Sequence, residues 1–338
     1  MTVTVLRPGL LTTVQDLGRP GWQRFGVPVG GAMDPVALRV ANALVGNSED
    51  AAALEITLQG PRLRFDADAL IAVCGADLSP TVDGMPLPQW RPVLVRRGSV
   101  LAFGRPRWGV RSYLAVAGGW DVPSVLGSRS TDRRAGLGGI GGRALREGDR
   151  LPAGVPTPLA HHLMATLSGR LGRRPLASVT WRISPRAYPA YAAPPTVRAL
   201  RGPEFDAFSP EAQAAFFTRP FRVTPQSDRM GYRLAGPTLA LREAIELVSE
   251  GVSTGTVQVP PDGQPIVLLA DRQTAGGYPR IACVATVDLP VLAQTPPGAF
   301  VRFREVSLGE AQALLAQREQ LLRRLRAAIA RRLAERAS

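Results

Sequence analysis

Short apolar runs, separated by Gly and Pro at close intervals, dominate the first part of the chain. Five of them have the length and aliphatic content of β-strands; they are residues 62–65, 69–74, 93–95, 100–103 and 112–117. Short strands at this spacing favour a β-barrel or a sandwich over a parallel α/β sheet. Strands resume at residues 197–200, and residues 251–288 hold further apolar runs bounded by turn residues.

The apolar pattern weakens in the middle of the chain, where eight prolines fall between residues 151 and 195. Because proline interrupts both helices and strands, we expect a boundary or a long crossover there. The sequence therefore predicts a mainly β protein with a few helices, of the α+β class. Its predicted segments are a first β half over residues 1–150, a Pro-rich crossover over 151–196, a second β half over 197–307 and a C-terminal amphipathic helix over 308–338.

The clearest early helix is predicted to begin at Asp34. Asp34 is a good N-cap, Pro35 suits the first helical position, and Gly46 ends the apolar face that follows. The preceding Gly30 and Gly31 then lie at a helix N-terminus, where exposed N–H groups and the helix dipole favour a carboxylate or phosphate. A tight strand-to-helix turn explains the same glycines equally well.

Two further helices are predicted, over residues 209–217 and 308–334. The second carries apolar residues at near-helical spacing on an Arg-rich background; they are Leu315, Leu322, Leu325, Ile329 and Leu333. Such a stripe can dock on its own domain, on another protein of a complex or on an anionic surface. Docking within the protein or its complex is the preferred interpretation.

Composition excludes several chemistries. The chain has 338 residues, 45% of them hydrophobic, and a formal net charge of +14. It contains no lysine, so its 41 basic residues are all arginines, and Schiff-base chemistry, a Walker A loop and covalent biotin on this chain are excluded. Aromatic residues make up only 6% and do not alternate with the Arg-rich runs. We therefore expect a solvated or partner-facing basic surface and no nucleic-acid binding.

Cysteine and histidine are scarce. Cys74 and Cys283 each lie in an apolar run, which favours structural thiols over a disulfide. His161 and His162 are the only histidines, so a zinc-type ligand set cannot form, and we predict no metal site on this chain. No uncharged apolar run reaches the length of a membrane span, and the N-terminus does not have the pattern of a signal segment. We therefore expect a cytoplasmic protein that does not associate with a membrane.

Polar residues crowd the connection that follows the buried run 266–269. They are Asp271, Arg272, Gln273 and Tyr278, around the pair Gly276 and Gly277. Similar groups occur at Asp228, Arg229 and Tyr232, and early in the chain at Gln15, Asp16 and Arg19. Arginine binds a carboxylate or phosphate bidentately, aspartate acts as a base or orients that arginine, and glutamine can read an amide. A salt bridge that fixes a loop is the competing interpretation of each Asp–Arg pair.

No Cys–His or Ser–His nucleophile pair is indicated by these residues. Catalysis would instead depend on positioning and charge stabilisation, for example by the N–H groups of Gly276 and Gly277 facing a developing oxyanion.

Four blocks of the sequence resemble the family of 5-oxoprolinase C subunits, also described as allophanate hydrolase subunit 2, Kip antagonist A or biotin-dependent carboxyltransferase-like. The blocks are residues 9–63, 111–145, 227–237 and 251–288. The resemblance implies two cyclophilin-like β-barrel halves. From the polar residues in these blocks we predict a catalytic set of Asp228, Arg229, Asp271, Arg272, Gln273 and Tyr278. The predicted substrate- or anion-binding set is Gln15, Asp16, Arg19, Gly30, Gly31, Asp34, Ser128, Arg129, Gly276 and Gly277.

The function implied by the resemblance is that of one component of an ATP-dependent 5-oxoprolinase, which opens 5-oxoproline to L-glutamate. ATP, with Mg²⁺, would bind in a complex with A-like and B-like 5-oxoprolinase subunits. Arg229 and Arg272 would bind anionic groups, and Asp228 or Asp271 would act as base or orienting residue. One alternative is carboxyl transfer from carboxybiotin, held by another protein, to urea or a related amide. Another is a non-catalytic regulatory protein that binds a partner protein.

Overall fold

The computed structural model describes residues 1–191 and 194–335, which form two compact units. The first unit comprises Met1–Arg19, Asp34–Tyr188 and the chain from Leu321 onward. The second comprises Pro20–Met33 and Pro189–Gln320. Each unit therefore combines segments that are distant in the sequence.

The first unit contains two six-stranded antiparallel sheets. Its strands are β1 (Thr2–Arg7), β2 (Leu11–Gln15), β3 (Ala53–Thr57), β4 (Arg62–Phe65), β5 (Ala69–Asp77), β6 (Thr81–Val82), β7 (Met85–Pro86), β8 (Val93–Val95), β9 (Val100–Ala102), β10 (Trp108–Val116), β11 (Arg150–Pro152) and β12 (Leu176–Ser178). One sheet has the order β11-β1-β4-β9-β6-β7 and the other the order β12-β8-β5-β10-β3-β2. The five strands predicted in this half are confirmed.

The core of the first unit lies between these two sheets. Val5 and Leu63 from the first sheet belong to the same buried cluster as Ile56, Val73 and Leu114 from the second. The resemblance led us to expect a β-barrel half here, but the strands pair within two separate sheets, so the observed arrangement is a sandwich. Alternation of buried and exposed residues looks alike in both architectures, and only strand pairing distinguishes them.

The second unit contains a closed seven-stranded barrel, as expected for the second half. Its strands are β13 (Thr196–Arg201), β14 (Phe221–Val223), β15 (Gly231–Ala235), β17 (Thr256–Gln258), β18 (Ile266–Leu268), β20 (Arg280–Val284) and β21 (Phe300–Glu305). The order is β13-β20-β17-β18-β15-β14-β21, and a parallel pairing of β13 with β21 closes the circuit. Two short strands, β16 (Glu250–Gly251) and β19 (Ala275–Gly276), form a separate small sheet.

The core of the second unit is built from aromatic and aliphatic residues of the barrel strands and of helix α3 (Pro210–Thr218). Phe216 stacks on Phe303 with ring centroids 4.5 Å apart, and Phe221 lies within 6.0 Å of both rings. Aromatic pairs at such distances add to the stability that comes from burial alone.

The helices of the described residues are α1 (Pro35–Leu44), α2 (Pro158–Leu171), α3 (Pro210–Thr218), α4 (Leu289–Ala293) and α5 (Leu308–Ala334). Four of these five helices, all except α4, begin after a residue whose side chain caps them. Asp34 accepts a hydrogen bond from the Ala37 N–H at 3.0 Å, and Ser209 caps α3 in the same way at 3.2 Å. Short 3₁₀ turns occur at Gln23–Phe25, Pro185–Ala187, Phe205–Ala207 and Thr286–Asp288.

The segment predicted as a Pro-rich crossover, residues 151–196, contains helix α2 and strand β12, both within the first unit. Thr157 caps α2, and Pro158 occupies its first turn, where the missing N–H has no intrahelical partner to lose. Leu163, Leu167 and Leu171 are buried at helical spacing. Residues 192 and 193, also in the predicted crossover, lie outside the described residues.

The C-terminal helix α5 is confirmed to residue 334, and residues 336–338 lie outside the described part of the chain. Ser307 and Glu310 form a reciprocal capping box at its start. Within the first unit, Leu322 and Ile329 lie beside Val40 of α1, so part of the predicted stripe docks on the protein itself. No helix in the described residues is long and apolar enough to cross a membrane.

Candidate functional site

In the second unit, Arg229 and Asp271 form a nearly buried ion pair at one end of the barrel. Arg229 lies just before β15, and Asp271 lies three residues after the end of its antiparallel neighbour β18. The Arg229 Nε and Nη2 atoms donate to the two Asp271 carboxylate oxygens at 2.8 and 2.9 Å. Nη2 also donates to the Gly31 carbonyl at 2.6 Å. The positive charge of Arg229 is therefore compensated inside the protein, as in a pair that fixes loops.

Asp228, the other candidate base, stabilises a turn. Its Oδ1 accepts hydrogen bonds from the backbone N–H of Met230 at 2.8 Å and of Gly231 at 3.3 Å. This is the arrangement of an Asx-type turn, which aspartate favours before a strand. In these contacts Asp228 shapes the entry to β15, so the interpretation as a base gains nothing from them.

Arg272 differs from Arg229 in its surroundings. It is only 6% exposed, yet no carboxylate of the described residues forms an ion pair with it. Its Nε donates to the Val252 carbonyl at 3.1 Å, and its Nη1 donates to the Thr254 hydroxyl at 2.7 Å. Burial lowers the pKa of the Arg272 guanidinium, since the charged form is desolvated. A buried cation without a counter-charge favours the arrival of a negative group.

Gln258 joins the remaining polar residues of this region, although the sequence analysis did not single it out. It is 2% exposed on β17, 3.5 Å from Gln273 Nε2 and from the Tyr278 carbonyl, so these contacts are at the weak limit of hydrogen bonding. A Cβ atom at Gly276 would lie 2.5 Å from the Gln258 amide. The only signal in the sequence is one polar residue within an apolar run.

Two predicted residues in this region are more loosely placed. The side chain of Tyr278 is 48% exposed. A Cβ atom at Gly277 would lie 3.3 Å from the Ser249 hydroxyl, which is less crowded than the position at Gly276. The oxyanion role of the Gly276 and Gly277 N–H groups stays a prediction.

A cleft of about 480 Å³ opens beside this polar region, within the second unit. Val252 and Thr274 line it, and the Val252 N–H donates to the Thr274 carbonyl at 3.0 Å. Because Arg272 binds the Val252 carbonyl, it supports the wall of the cleft directly. The uncompensated arginine therefore lies next to a space that can admit a small molecule.

In the first unit, the predicted anion-binding residues gather around Asp16. Its carboxylate accepts from the Ser128 hydroxyl at 2.6 Å, the Ser130 hydroxyl at 2.5 Å, the Arg129 N–H at 2.6 Å and the Gly18 N–H at 2.8 Å. With so many donors supplied by the protein, Asp16 acts as an organising group for the 128–130 loop. The structure thus brings Asp16, Ser128 and Arg129 together, but in contacts that fix the loop, and their binding of an anion stays a prediction.

Four buried polar atoms near this loop lack a hydrogen-bond partner among the described residues. They are Gln15 Oε1, Arg19 Nη1, Thr131 Oγ1 and Asp132 Oδ2. Gln15 Nε2 donates to the Thr131 carbonyl, and Arg19 Nη2 donates to the Ser130 carbonyl, so these side chains converge on one segment. Buried polar atoms are nearly always hydrogen-bonded. Gln15 and Arg19 therefore remain candidates for contact with a polar ligand.

The contacts of the Gly30–Asp34 loop favour the turn interpretation over an anion site. In the second unit, the Gly30 N–H donates to the Ala270 carbonyl at 3.2 Å, and the Gly31 carbonyl accepts from Arg229. In the first unit, the Asp34 N–H donates to the Tyr113 hydroxyl at 2.7 Å, and that hydroxyl donates to Glu55. The Gly30 N–H, which was expected to face an anion, and the Asp34 N–H thus both bind protein oxygens.

A metal ion held by protein side chains alone needs several donor groups close together. Among residues 1–191 and 194–335, no three His, Cys, Asp or Glu side chains are grouped so that they could hold one. Asp271 and Asp16 are each saturated by protein donors. The described residues therefore form no site that would hold a metal ion by three or more such side chains.

Comparison with known proteins assigns a class to this architecture. A family model described as "Carboxyltransferase domain, subdomain A and B" matches residues 25–305. The crystal structure of the Kluyveromyces lactis urea amidolyase superposes with a TM-score of 0.84 at 31% identity, covering 95% of this chain and 20% of that one. The fold is that of a carboxyltransferase domain.

The C subunit of 5-oxoprolinase from Escherichia coli K12 is 43% identical over 317 residues, which is 94% of each chain. The Haemophilus influenzae protein of the same name is 40% identical over 93% of this chain and 94% of its own. The Lachancea kluyveri urea amidolyase is 34% identical over 92% of this chain but only 17% of its own length. The chain belongs to the family of 5-oxoprolinase C subunits, which confirms the resemblance seen in the sequence.

Proposed function

We propose that this chain is the C subunit of a cytoplasmic, ATP-dependent 5-oxoprolinase, a complex that opens 5-oxoproline to L-glutamate. Support comes from the two relatives named as C subunits of 5-oxoprolinase, which match over 93% or more of both chains at 40% and 43% identity. The observation within the structure that carries a catalytic role is Arg272, a buried cation beside a cleft and without a carboxylate partner.

The proposed role of Arg272 is to stabilise negative charge on the substrate. Opening a lactam places charge on the carbonyl oxygen as water adds, and a desolvated donor aimed at that charge is worth more than one in water. Asp271 then acts through Arg229 and the loop contacts of that pair, as a positioning residue. Gln258 and Gln273 provide amide groups that can read the lactam edge.

ATP and Mg²⁺ are proposed to bind in the assembled complex, because this chain has no lysine and therefore no Walker A loop to hold the phosphates. The proposed partners are the A-like and B-like subunits of 5-oxoprolinase. In this arrangement the chain contributes substrate binding and charge stabilisation, and no step through ATP is assigned to its residues.

A second candidate is carboxyl transfer from carboxybiotin to urea or a related amide. The matching carboxyltransferase family model and the urea amidolyase similarity favour it. Arg272 would then stabilise the charge that develops during transfer. The chain has no lysine to carry biotin, so a separate carrier protein would be required. The higher identity and the full-length match to a 5-oxoprolinase C subunit favour the first candidate.

The test is the release of ADP and L-glutamate from 5-oxoproline by this chain with its partner proteins, each omitted in turn. We expect turnover that disappears when this chain is left out and when Arg272 is replaced by Met. An assembled complex that forms no glutamate would contradict the proposal. Carboxylation of urea by the chain with a biotin carboxylase and a carrier protein would then support the second candidate.

A further inference from the structure

The cleft beside the β16–β19 sheet has a chemical character that the proposed roles above do not use. Its volume of about 480 Å³ falls within the range of roughly 300–1,000 Å³ common for small-molecule sites. Ser253 and Thr256 line one part of it, and Arg280 and Cys283 of β20 line another. None of these four residues was predicted to bind a ligand.

Arg280 forms ion pairs with two carboxylates, one nearly buried and one exposed to solvent. Its Nε and Nη2 donate to the two oxygens of Glu204 at 2.9 and 2.6 Å, and its backbone N–H donates to the same carboxylate at 2.9 Å. Nη2 also donates to Glu250 at 2.9 Å. The Glu204 side chain is 14% exposed, whereas that of Glu250 is 63% exposed. Glu204 therefore fixes the guanidinium, and Glu250 is the partner that water can replace.

Glu250 can move away without disturbing the fold. Its backbone is held in β16 by pairing with Gly276, so only its side chain needs to rotate into water. Exposed ion pairs contribute little to the free energy of unfolding, because solvent screens them and both side chains lose conformational freedom. A carboxylate on a bound molecule would restore the same charge balance at Arg280 while its remaining atoms fill the cleft.

We propose that the cleft binds a small molecule that carries a carboxylate beside an amide or lactam group, and that this carboxylate replaces Glu250 on Arg280. The choice of 5-oxoproline as the ligand rests on the proposed function. The Ser253 and Thr256 hydroxyls lie 3.2 Å apart. A hydroxyl can donate or accept, so this pair suits the adjacent N–H and C=O of a lactam.

Cys283 offers a reporter at the same place. It lines the cleft and is partly exposed, whereas Cys74 is completely buried. Burial raises the pKa of the Cys283 thiol, so its alkylation should be followed at mildly alkaline pH. Cleavage after arginine releases residues 281–302 as a peptide whose only cysteine is Cys283. Its modification can therefore be measured by mass, in the chain alone or in a complex.

The experiment measures protection of Cys283 from N-ethylmaleimide by increasing 5-oxoproline, in the full chain and in the assembled complex. The variants are Glu250→Gln and, as a matched control, Glu305→Gln, whose carboxylate forms an exposed ion pair with Arg201 elsewhere in the same unit. The second probe is 2-pyrrolidinone, a lactam without the carboxylate. Calorimetric titration of the same proteins and ligands measures binding independently of the thiol.

We expect saturable protection by 5-oxoproline, with half-protection at about two- to fivefold lower concentration in Glu250→Gln, because a weak competitor is removed. Glu305→Gln should match the unchanged chain. The probe 2-pyrrolidinone should bind roughly ten- to hundredfold more weakly, because it lacks the charge-assisted hydrogen bond.

Equal binding of the two lactams, identical behaviour of the two variants, or no binding by either method would overturn the cleft assignment. Turnover by the complex under those results would leave the proposed function standing. If the ligands bind with the expected pattern but the complex forms no glutamate, the cleft is still a binding site and the 5-oxoprolinase role is refuted.

Discussion

Replacing Asp271 by Asn tests whether the Arg229–Asp271 pair is structural. The two side chains are only 7% and 15% exposed, so the substitution leaves a buried guanidinium without its counter-charge. Asn keeps an oxygen that can accept one hydrogen bond, and the Gly31 carbonyl still accepts another. Loss of one partner of a buried ion pair lowers the free energy of unfolding by about 3–5 kcal/mol. Because these two acceptors remain, we expect a loss of about 3 kcal/mol.

Urea unfolding, followed by circular dichroism and by hydrogen exchange of strands β15 and β18, measures this effect. Glu305→Gln is the control, because its ion pair with Arg201 is exposed and should contribute about 0–1 kcal/mol. Adding Arg229→Met to Asp271→Asn removes the uncompensated cation, so the double variant should recover at least about 1 kcal/mol. If Asp271→Asn is no less stable than Glu305→Gln, the pair does not hold this end of the barrel as argued.

Three other predictions follow from single contacts. Arg272→Met should lower turnover by at least about a hundredfold, mainly in kcat, because a charge-stabilising donor is lost; steady-state kinetics with Arg272→Lys, which keeps the charge but not the guanidinium, checks this. Tyr113→Phe removes the buried hydrogen bond to Glu55 at 2.7 Å and should cost about 1–3 kcal/mol in urea unfolding. Hydrogen bonds from Arg280 lower the pKa of Glu204 below its ordinary 4.5. The contribution of Glu204 to the free energy of unfolding is therefore present above pH 4.5 and is lost as pH falls through the folded-state pKa. In Glu204→Gln the free energy of unfolding should fall less steeply with acidification.

Much of the fold could be predicted because it depends on local signals. Apolar runs located the strands of the first half, and a polar cap followed by proline marked the start of α1. The same capping signal at Thr157 and Pro158 begins α2, but the surrounding prolines concealed it, since proline suits a first helical turn and disrupts a helix interior. The choice between one barrel and two sheets depends on pairing between distant strands, which a local pattern does not contain.

The sequence marks several polar residues at this end of the barrel but not the contacts that they make. Asp271 and Arg272 are adjacent in the sequence, and a salt bridge in this loop was the obvious competing interpretation. In the structure Asp271 pairs with Arg229, which is 42 residues away, whereas Arg272 faces a carbonyl and a hydroxyl. That division follows from the antiparallel pairing of β15 and β18, which brings Arg229 to Asp271.

The absence of lysine makes charge compensation the useful criterion in this protein. Every side-chain cation except the histidines is an arginine, so residue type alone cannot separate cations that hold the fold from cations that meet a ligand. Arg229 is bound to one nearly buried carboxylate, Arg280 to one nearly buried and one exposed carboxylate, and Arg272 to none among the described residues. A buried charge is stable only when an opposite charge compensates it. Where the chain supplies no such charge, either a ligand or partner provides it or the protein is less stable. Of these three arginines, Arg272 therefore gains most from an anionic group, whereas Arg280 can bind one only in exchange for the exposed Glu250.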